Sequence, residues 1–238
     1  MRITDNTFVL GGSYFAAVDN SSALGDIYGI RTKQGVILID CGMPVSGPII
    51  LRETLDTLKL DEPITHLIIT HAHIDHCGGA KELQDAGAKV IVGKEDVAYC
   101  EDGGFEKLDP VFYQGHVFPE FSPDIVIDND QIMDINGINF EFIKIPGHSP
   151  GSMAIRAEID GRSMLFTGDS LQPDGMYLSN VSFGWEGDPA YNRKLLVSSI
   201  SKLMDVDAEI ILPGHGRVCL RNGPSLLKYA AQVAQLTL

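Results

Sequence analysis

The sequence predicts an α/β protein in which two β-sheets pack face to face with helices on their outer sides. Buried strands alternate with helices in two successive rounds along the chain, and short turns that suit hairpins join several of the strands. No internal repeat or low-complexity segment is visible. Because 238 residues are enough for one continuous core, we expect a single domain over residues 1–238.

The first round begins with two β-runs joined by a turn near residues 33–35. The second run, 36–39, is apolar enough to be fully buried. Apolar residues at three- and four-residue spacings predict the helix that follows, and Gly87 is the expected stop of the next helix. In order, the predicted elements are a strand pair at 28–42, a helix at 47–60, a buried strand at 65–71, a helix at about 79–86 and a strand at 88–93.

The second round is mostly β-structure. Its strands are separated by "INGIN" and "IDGRS", which are typical hairpin turns. Asp188 followed by Pro189 predicts the start of a helix, with the aspartate as N-cap. In order, the predicted elements are a loop at 100–123, strands within 124–167, a loop at 172–187, a helix from Asp188 to about Met204, a strand within 208–216 and a helix from about Pro224.

The amino-acid composition disfavours several kinds of binding partner. Lys and Arg number 18 against 32 for Asp and Glu, and the net charge of −14 disfavours nucleic acid. The four cysteines form no C-x-x-C pair, which predicts reduced thiols. No apolar run approaches the roughly 18 residues that cross a bilayer. We therefore expect a cytoplasmic protein with a small-molecule substrate and no membrane or nucleic-acid partner; a homo-oligomer is compatible with this composition.

The segment "THAHIDHCGG" at 70–79 places three of the seven histidines beside an aspartate, directly after an apolar strand. Alternate residues share a side only in an extended chain, so we expect His71, His73 and Asp75 to lie in one. His76 adds a fourth donor where the backbone turns into the next helix. Solvated loop histidines are the alternative, but H-x-H-x-D-H after a buried strand favours a metal site.

Three further donors follow other apolar strands. They are His148 in "IPGHSPGS", Asp169 in "LFTGDS" and His215 in "ILPGHG". Each taken alone could be a turn residue, but small neighbouring residues allow the backbone to approach an ion closely. Together with the first cluster the donors number seven. Seven donors are enough for two metal ions with open positions for solvent and substrate.

These segments resemble the metallo-β-lactamase superfamily. "GVILIDCG", "THAHIDHCGG", "PGHSPGS", "FTGDS" and "ILPGHG" occur in family order over roughly 25–220. The resemblance implies an αββα sandwich of two mixed β-sheets, the metallo-β-lactamase fold, with the metal centre at one edge and hydrolysis as the activity. It also implies the ligand sets: His71, His73 and His148 for the first metal, Asp75, His76 and His215 for the second, and Asp169 as a bridge.

The resemblance gives Asp40 a supporting role. In the family's pattern the equivalent aspartate hydrogen-bonds a ligand histidine, which fixes its tautomer, whereas a turn-forming aspartate is the alternative. Mixed imidazole and carboxylate donors favour two zinc ions, with iron or manganese as alternatives. A hydroxide that bridges the metals is the expected nucleophile, and Asp75 is the expected catalytic residue that orients it.

The same resemblance narrows the substrate to a small thioester, ester or lactone, as in glyoxalase II enzymes. Class B β-lactamases lack the bridging aspartate that Asp169 supplies, which disfavours penicillin hydrolysis. The superfamily's nucleases bind a polyanion, which the net charge of −14 disfavours. Glyoxalase II enzymes carry a helical region for glutathione beyond the last ligand, whereas this sequence ends soon after His215. The alternatives are a mononuclear iron persulfide dioxygenase, a β-lactam or phosphodiester hydrolase, and a non-catalytic binding protein. Four side chains in the two aromatic loops are expected to contact substrate, with ordinary loop packing or a dimer contact as the alternative: His116, Tyr177, Phe183 and Trp185.

Overall fold

The computed structural model describes residues 1–12, 25–104, 117–173 and 181–238. The chain divides into two compact units, an amino-terminal unit of residues 1–127 and a carboxy-terminal unit of residues 128–238. Each unit contains one large mixed sheet and several helices, which confirms the predicted α/β class. Among the described residues, no helix is both long enough and apolar enough to cross a bilayer. The single domain expected for residues 1–238 stays a prediction.

The amino-terminal unit is built on a six-stranded sheet whose strands follow their order in the chain. The strands are β1 (Thr7–Gly11), β2 (Ile27–Arg31), β3 (Val36–Ile39), β4 (Ile64–Ile68), β5 (Lys89–Gly93) and β6 (Ile125–Ile127). The helices are α1 (Ser46–Leu58), α2 (Ile74–Cys77), α3 (Ala80–Asp85) and α4 (Val97–Asp102), with a 3-10 turn at Lys94–Asp96. Strands β1 to β3 pair antiparallel, whereas β3 to β6 pair parallel.

The parallel order follows from the helical crossovers. A parallel partner requires a long connection, and α1 supplies it between β3 and β4. The strands are apolar because their residues are covered; Leu38, Leu67 and Val90 are fully buried in the core of this unit. Burying each such side chain contributes about 1.5–3 kcal/mol, which fixes the positions of the strand ends.

The carboxy-terminal unit is built on a five-stranded sheet. Its strands are β7 (Gln131–Ile135), β8 (Ile138–Lys144), β9 (Met153–Ile159), β10 (Arg162–Gly168) and β13 (Ile210–Pro213), in the spatial order β13-β10-β9-β8-β7, and β11 (Gln172–Pro173) pairs separately with β12 (Val181–Ser182). The helices are α5 (Arg193–Leu203) and α6 (Gly223–Thr237). The predicted hairpin turns are confirmed, because Asn136 and Gly137 both have positive φ, as do Asp160 and Gly161.

Two predicted boundaries are wrong. Helix α5 begins at Arg193, not at Asp188, and its N-cap is Asn192, whose side chain accepts a hydrogen bond from the Leu195 N–H. Asp188 instead stabilises a separate turn, where its side chain accepts from the Ala190 N–H at 2.6 Å. The loop predicted for 100–123 is also too long, since helix α4 continues to Asp102. Residues 105–116 of that loop lie outside the described residues.

Candidate metal centre

Strands β3, β4 and β5 are parallel neighbours, so their carboxyl ends meet at one edge of the amino-terminal sheet. Asp40 directly follows β3, and His71 follows β4 after two residues. Topology therefore brings these two residues together, although thirty residues separate them in the chain. This edge is where ligands bind in open α/β sheets.

The four donors that follow β4 lie close together. The His71 ring centroid is 4.5 Å from that of His73 and 4.1 Å from that of His76. The Asp75 Oδ2 atom lies 3.5 Å from Nε2 of His76. Within the amino-terminal unit, the imidazoles and the carboxylate thus form one compact, buried set of donors.

The backbone of this set differs from the expectation. His73 is extended, with φ −80° and ψ 151°, but Asp75 lies in the one-turn helix α2 and not in an extended chain. The extended segment ends at His73, and the helical turn brings Asp75 and His76 back toward the histidines before them. The prediction of one extended run from His71 to Asp75 is therefore wrong, although its donors do come together.

A hydrogen-bond network orients two of these histidines. Asp40 is buried, and its Oδ1 accepts the Thr70 N–H at 2.7 Å while its Oδ2 accepts the Thr70 hydroxyl at 2.7 Å. The His76 Nδ1 atom lies 2.8 Å from the same Oδ2. Since the only hydroxyl hydrogen of Thr70 points to Asp40, its oxygen accepts from His71 Nδ1 at 3.1 Å. Both imidazoles then keep Nε2 deprotonated as a metal donor.

Burial and hydrogen bonding have opposite effects on the pKa of Asp40. Burial raises the pKa of Asp40 above its ordinary value, and the hydrogen bonds from His76 and Thr70 oppose that increase. A buried carboxylate with several charge-assisted hydrogen bonds is a rigid anchor. The contact with His76 is the one that the resemblance implies, and the support of a metal ligand by Asp40 stays a prediction.

A glycine allows the chain to pass close to the donors. A Cβ atom on Gly25 would lie 2.7 Å from the Asp75 carbonyl oxygen and 2.8 Å from Cε1 of His76. The Gly25 N–H also donates to the Asp75 carbonyl at 3.2 Å. Only a residue without a side chain fits this contact.

The three donors of the carboxy-terminal unit also meet at one sheet edge. Strands β8 and β10 are both antiparallel to β9, and β13 is parallel to β10, so the carboxyl ends of β8, β10 and β13 coincide. His148, Asp169 and His215 follow these ends. The Asp169 Oδ2 atom lies 3.7 Å from Nε2 of His148 and 3.5 Å from Nε2 of His215. One oxygen of the Asp169 carboxylate therefore lies close to both imidazoles.

The loop that carries His148 is tightly fixed. Within "HSPGS", the Ser152 hydroxyl accepts the Ser149 N–H at 3.0 Å, and the two serine hydroxyls lie 2.8 Å apart. Gly184 passes against the donors on another side: with φ 71°, a Cβ there would lie 2.6 Å from the Asp169 carbonyl oxygen and 2.8 Å from Nδ1 of His148. Glycine is required at position 184 because a side chain would clash with Asp169 and His148, and because the backbone has a positive φ.

The donor chemistry of each unit fits a metal ion. Buried histidines beside buried carboxylates would carry a large desolvation cost without a cation. Imidazole nitrogens with carboxylate oxygens are the ligands that zinc and other first-row metals prefer. Asp40 and Thr70 fix the tautomers of His76 and His71, and metal-binding histidines usually have such hydrogen-bond partners.

The predicted substrate contacts fall into two groups. His116 and Tyr177 lie outside the described residues. Phe183 is only 7% exposed and packs in the core of the carboxy-terminal unit, whereas Trp185 is half-buried, with its ring against Gly187. All four contacts stay predictions.

Sequence reasoning missed Thr70 and the serine pair 149 and 152. Thr70 precedes the first histidine directly, and a hydroxyl residue next to a ligand is the signal that could have identified it. The serines flank the Pro-Gly pair after His148 in the same way. None of them carries a periodic pattern, so only their proximity to a ligand marks them.

The family model of the metallo-β-lactamase superfamily matches residues 24–215. The chain belongs to this superfamily, and its fold is the metallo-β-lactamase fold. A metallo-β-lactamase mutant from Cronobacter sakazakii superposes with a TM-score of 0.75 at 21% identity, over 99% of this chain and 93% of that one. A subclass B3 metallo-β-lactamase of Bradyrhizobium japonicum gives 0.74 at 20% identity, over 99% and 90%.

Relatives by sequence carry hydrolase names. The probable metallo-hydrolase YflN of Bacillus subtilis is 28% identical over 88% of this chain and 89% of its own length. The hydroxyacylglutathione hydrolase GloC of Haemophilus influenzae is 32% identical over 66% of this chain and 71% of its own. The protein is thus a metal-dependent hydrolase.

Proposed function

We propose that this protein hydrolyses a small thioester, ester or lactone with two zinc ions. The observation that carries the proposal is the position of Asp169, whose Oδ2 atom lies between Nε2 of His148 and Nε2 of His215, 3.7 Å and 3.5 Å away. A carboxylate placed between two imidazoles suits a ligand that two metals share. Two imidazoles and one carboxylate can also bind a single iron ion, so the number of metal ions per chain distinguishes the two kinds of site.

In this proposal the metal ligands are those that the superfamily pattern implies. The first zinc would be held by His71, His73 and His148, the second by Asp75, His76 and His215, and Asp169 would bridge them. The buried, mixed imidazole and carboxylate donors support this assignment.

When bound, such zinc ions polarise a carbonyl and lower the pKa of a water molecule toward about 7, which supplies a nucleophile at neutral pH. The chain's own residues set the geometry. Asp40 and Thr70 fix the imidazole tautomers of His76 and His71. In this proposal Asp75, whose Oδ2 atom lies 3.5 Å from Nε2 of His76, accepts a hydrogen bond from the attacking water and orients it.

The substrate class follows from Asp169 and from the relatives. The class B β-lactamase pattern lacks this bridging aspartate, and the β-lactamases that superpose here are about 20% identical, which supports only the fold. GloC, by name, acts on hydroxyacylglutathione, a thioester. The half-buried Trp185, on the segment that passes the donors at Gly184, supports an apolar wall for a small acyl group.

Metal analysis of protein purified without added metal tests the centre. We expect about two zinc ions per chain. One iron per chain, together with oxygen consumption on glutathione persulfide, would instead indicate the dioxygenase and contradict the proposal.

Turnover tests the reaction. A panel of thioesters, lactones, β-lactams and phosphodiesters is assayed with the wild type and with Asp169→Asn, which preserves shape and removes charge. We expect turnover of thioesters or lactones, and a loss in kcat/KM on the order of 100-fold or more in the variant, since metal activation contributes several kcal/mol. The exposed Asp160→Asn is the matched control and should behave like the wild type. Equal turnover by Asp169→Asn would remove this site from the mechanism.

A further inference from the structure

Asp96 is a buried carboxylate that the proposed reaction does not use. It is 0% exposed and ends the 3-10 turn that follows strand β5. Strand β5 is the parallel neighbour of β4, so Asp96 lies at the same sheet edge as the segment that begins with His71. Along this edge β3 is followed by Asp40, β4 by the donors and β5 by Asp96.

The Asp96 side chain binds the donor segment. Its Oδ2 atom accepts a hydrogen bond from the Ala72 N–H at 2.9 Å. Asp96 directly precedes helix α4, a position where aspartate often caps the helix, but its side chain makes no such bond here. The carboxylate therefore binds the Ala72 amide and does not cap its own helix.

Ala72 is the residue between His71 and His73. The Ala72 N–H belongs to the peptide unit between His71 and Ala72, so fixing it holds one peptide plane of the segment that sets the directions of the two histidine side chains. Burying a carboxylate costs free energy, and a charge-assisted hydrogen bond to a backbone amide is what offsets that cost. Burial raises the pKa of the Cys100 thiol, and the adjacent Asp96 charge adds to this increase.

We propose that Asp96 is a positioning residue that holds the His71–Ala72–His73 backbone in its metal-binding form through the Ala72 amide. The inference rests on the proposed metal centre and adds a second supporting carboxylate to Asp40, which makes three contacts of its own. It makes metal affinity depend on a residue outside the proposed set of ligands.

Two variants of Asp96 weaken or remove its hydrogen bond to the Ala72 amide. Asp96→Asn keeps an acceptor of similar shape but forms a weaker, neutral hydrogen bond, and Asp96→Ala removes the acceptor. Zinc affinity is measured by competition with a chromophoric chelator, and exchange of the Ala72 amide is measured in the metal-free protein. We expect Asp96→Ala to weaken zinc binding by about 10–100-fold and Asp96→Asn by less. Ala72 exchange should rise in the same order.

The exposed Asp102→Ala, at the end of the same helix, is the control and should change neither quantity. Wild-type affinity in Asp96→Ala, or Ala72 exchange that is unchanged in Asp96→Asn, would overturn the inference. If Asp96→Ala does not fold, the asparagine variant decides alone. A wild type that binds no zinc would refute the proposed function, while the exchange measurement would still report on the hold of Asp96 over Ala72.

Discussion

The Asp40 carboxylate lies 2.8 Å from Nδ1 of His76, a residue that follows it by 36 positions in the sequence. Asp40 has φ 58°, so its backbone is left-handed. Aspartate and asparagine tolerate this conformation better than most residues do. The carboxylate can therefore sit at the tight turn after β3 and reach across to the histidine.

Asp40→Asn should weaken zinc binding by about 10–100-fold, because it removes the charge that fixes the His76 tautomer while leaving the backbone unstrained. Chelator competition measures the affinity. Asp160→Asn is the matched control, since Asp160 has φ 55° but is exposed in a hairpin turn. If both variants bind zinc equally well, the Asp40 contact has no role in metal binding.

Gly184→Ala should disturb the carboxy-terminal donors directly. The added Cβ would lie 2.6 Å from the Asp169 carbonyl oxygen and 2.8 Å from Nδ1 of His148, besides adopting φ 71°. We expect a loss of about 2–4 kcal/mol in unfolding free energy from backbone strain and overpacking, and at least about tenfold weaker zinc binding.

Gly161→Ala separates the effect of backbone strain from the effect of overpacking. Gly161 has φ 70°, but a Cβ there meets no atom within 4 Å, so this variant carries the strain alone. It should lose about 1 kcal/mol by chemical denaturation and keep its zinc affinity. An equal effect of both substitutions would show that crowding at Gly184 does not matter.

The residues at the strand ends could be predicted from the sequence because each follows an apolar run and is flanked by small residues. His148, Asp169 and His215 all carry that signal. Asp96 does not, because its partner Ala72 is 24 residues away and a single aspartate in "GKEDVAY" has no periodic pattern. A contact between strand ends depends on which strands are neighbours, and the sequence alone does not specify that.

Helix starts were less predictable for a different reason. Both Asp188 and Asn192 are residue types that cap helices, and Pro189 suits a first turn. Tertiary packing selects Asn192: its N–H donates to the Gly147 carbonyl at 2.8 Å, and Leu196 is fully buried in the core of its unit.

The cysteines should differ sharply in reactivity. Burial raises the pKa of Cys41, Cys100 and Cys219, and Cys77 is also buried, but Cys219 differs from the other three in being only half-buried. Since the thiolate is the reacting species, we expect one slow thiol equivalent with Ellman's reagent at pH 8 in the native protein and four in guanidinium. Cys219→Ser should abolish the native reaction. Two or more native equivalents would contradict the burial of the other thiols.

Asp124 contributes stability that depends on pH. Its Oδ2 atom accepts the Val90 N–H and the Gln84 side-chain amide, each at 2.9 Å. The Val90 bond first, and then the Gln84 bond, hold the pKa of Asp124 below its ordinary value. Because the folded-state pKa is the lower one, the stabilisation is fully present above the unfolded pKa of about 3.9 and is lost as the pH falls through the folded value.

Asp124→Asn keeps the acceptor and removes the charge, so it isolates this contribution. The variant should be less stable than the wild type by about 0.5 kcal/mol at pH 7, a small value because the carboxylate is exposed to solvent. Urea unfolding from pH 7 to pH 2.5 measures the difference, which should shrink toward zero below pH 4. A difference that stays constant with pH would mean that the side-chain shape, and not the charge, stabilises the start of β5.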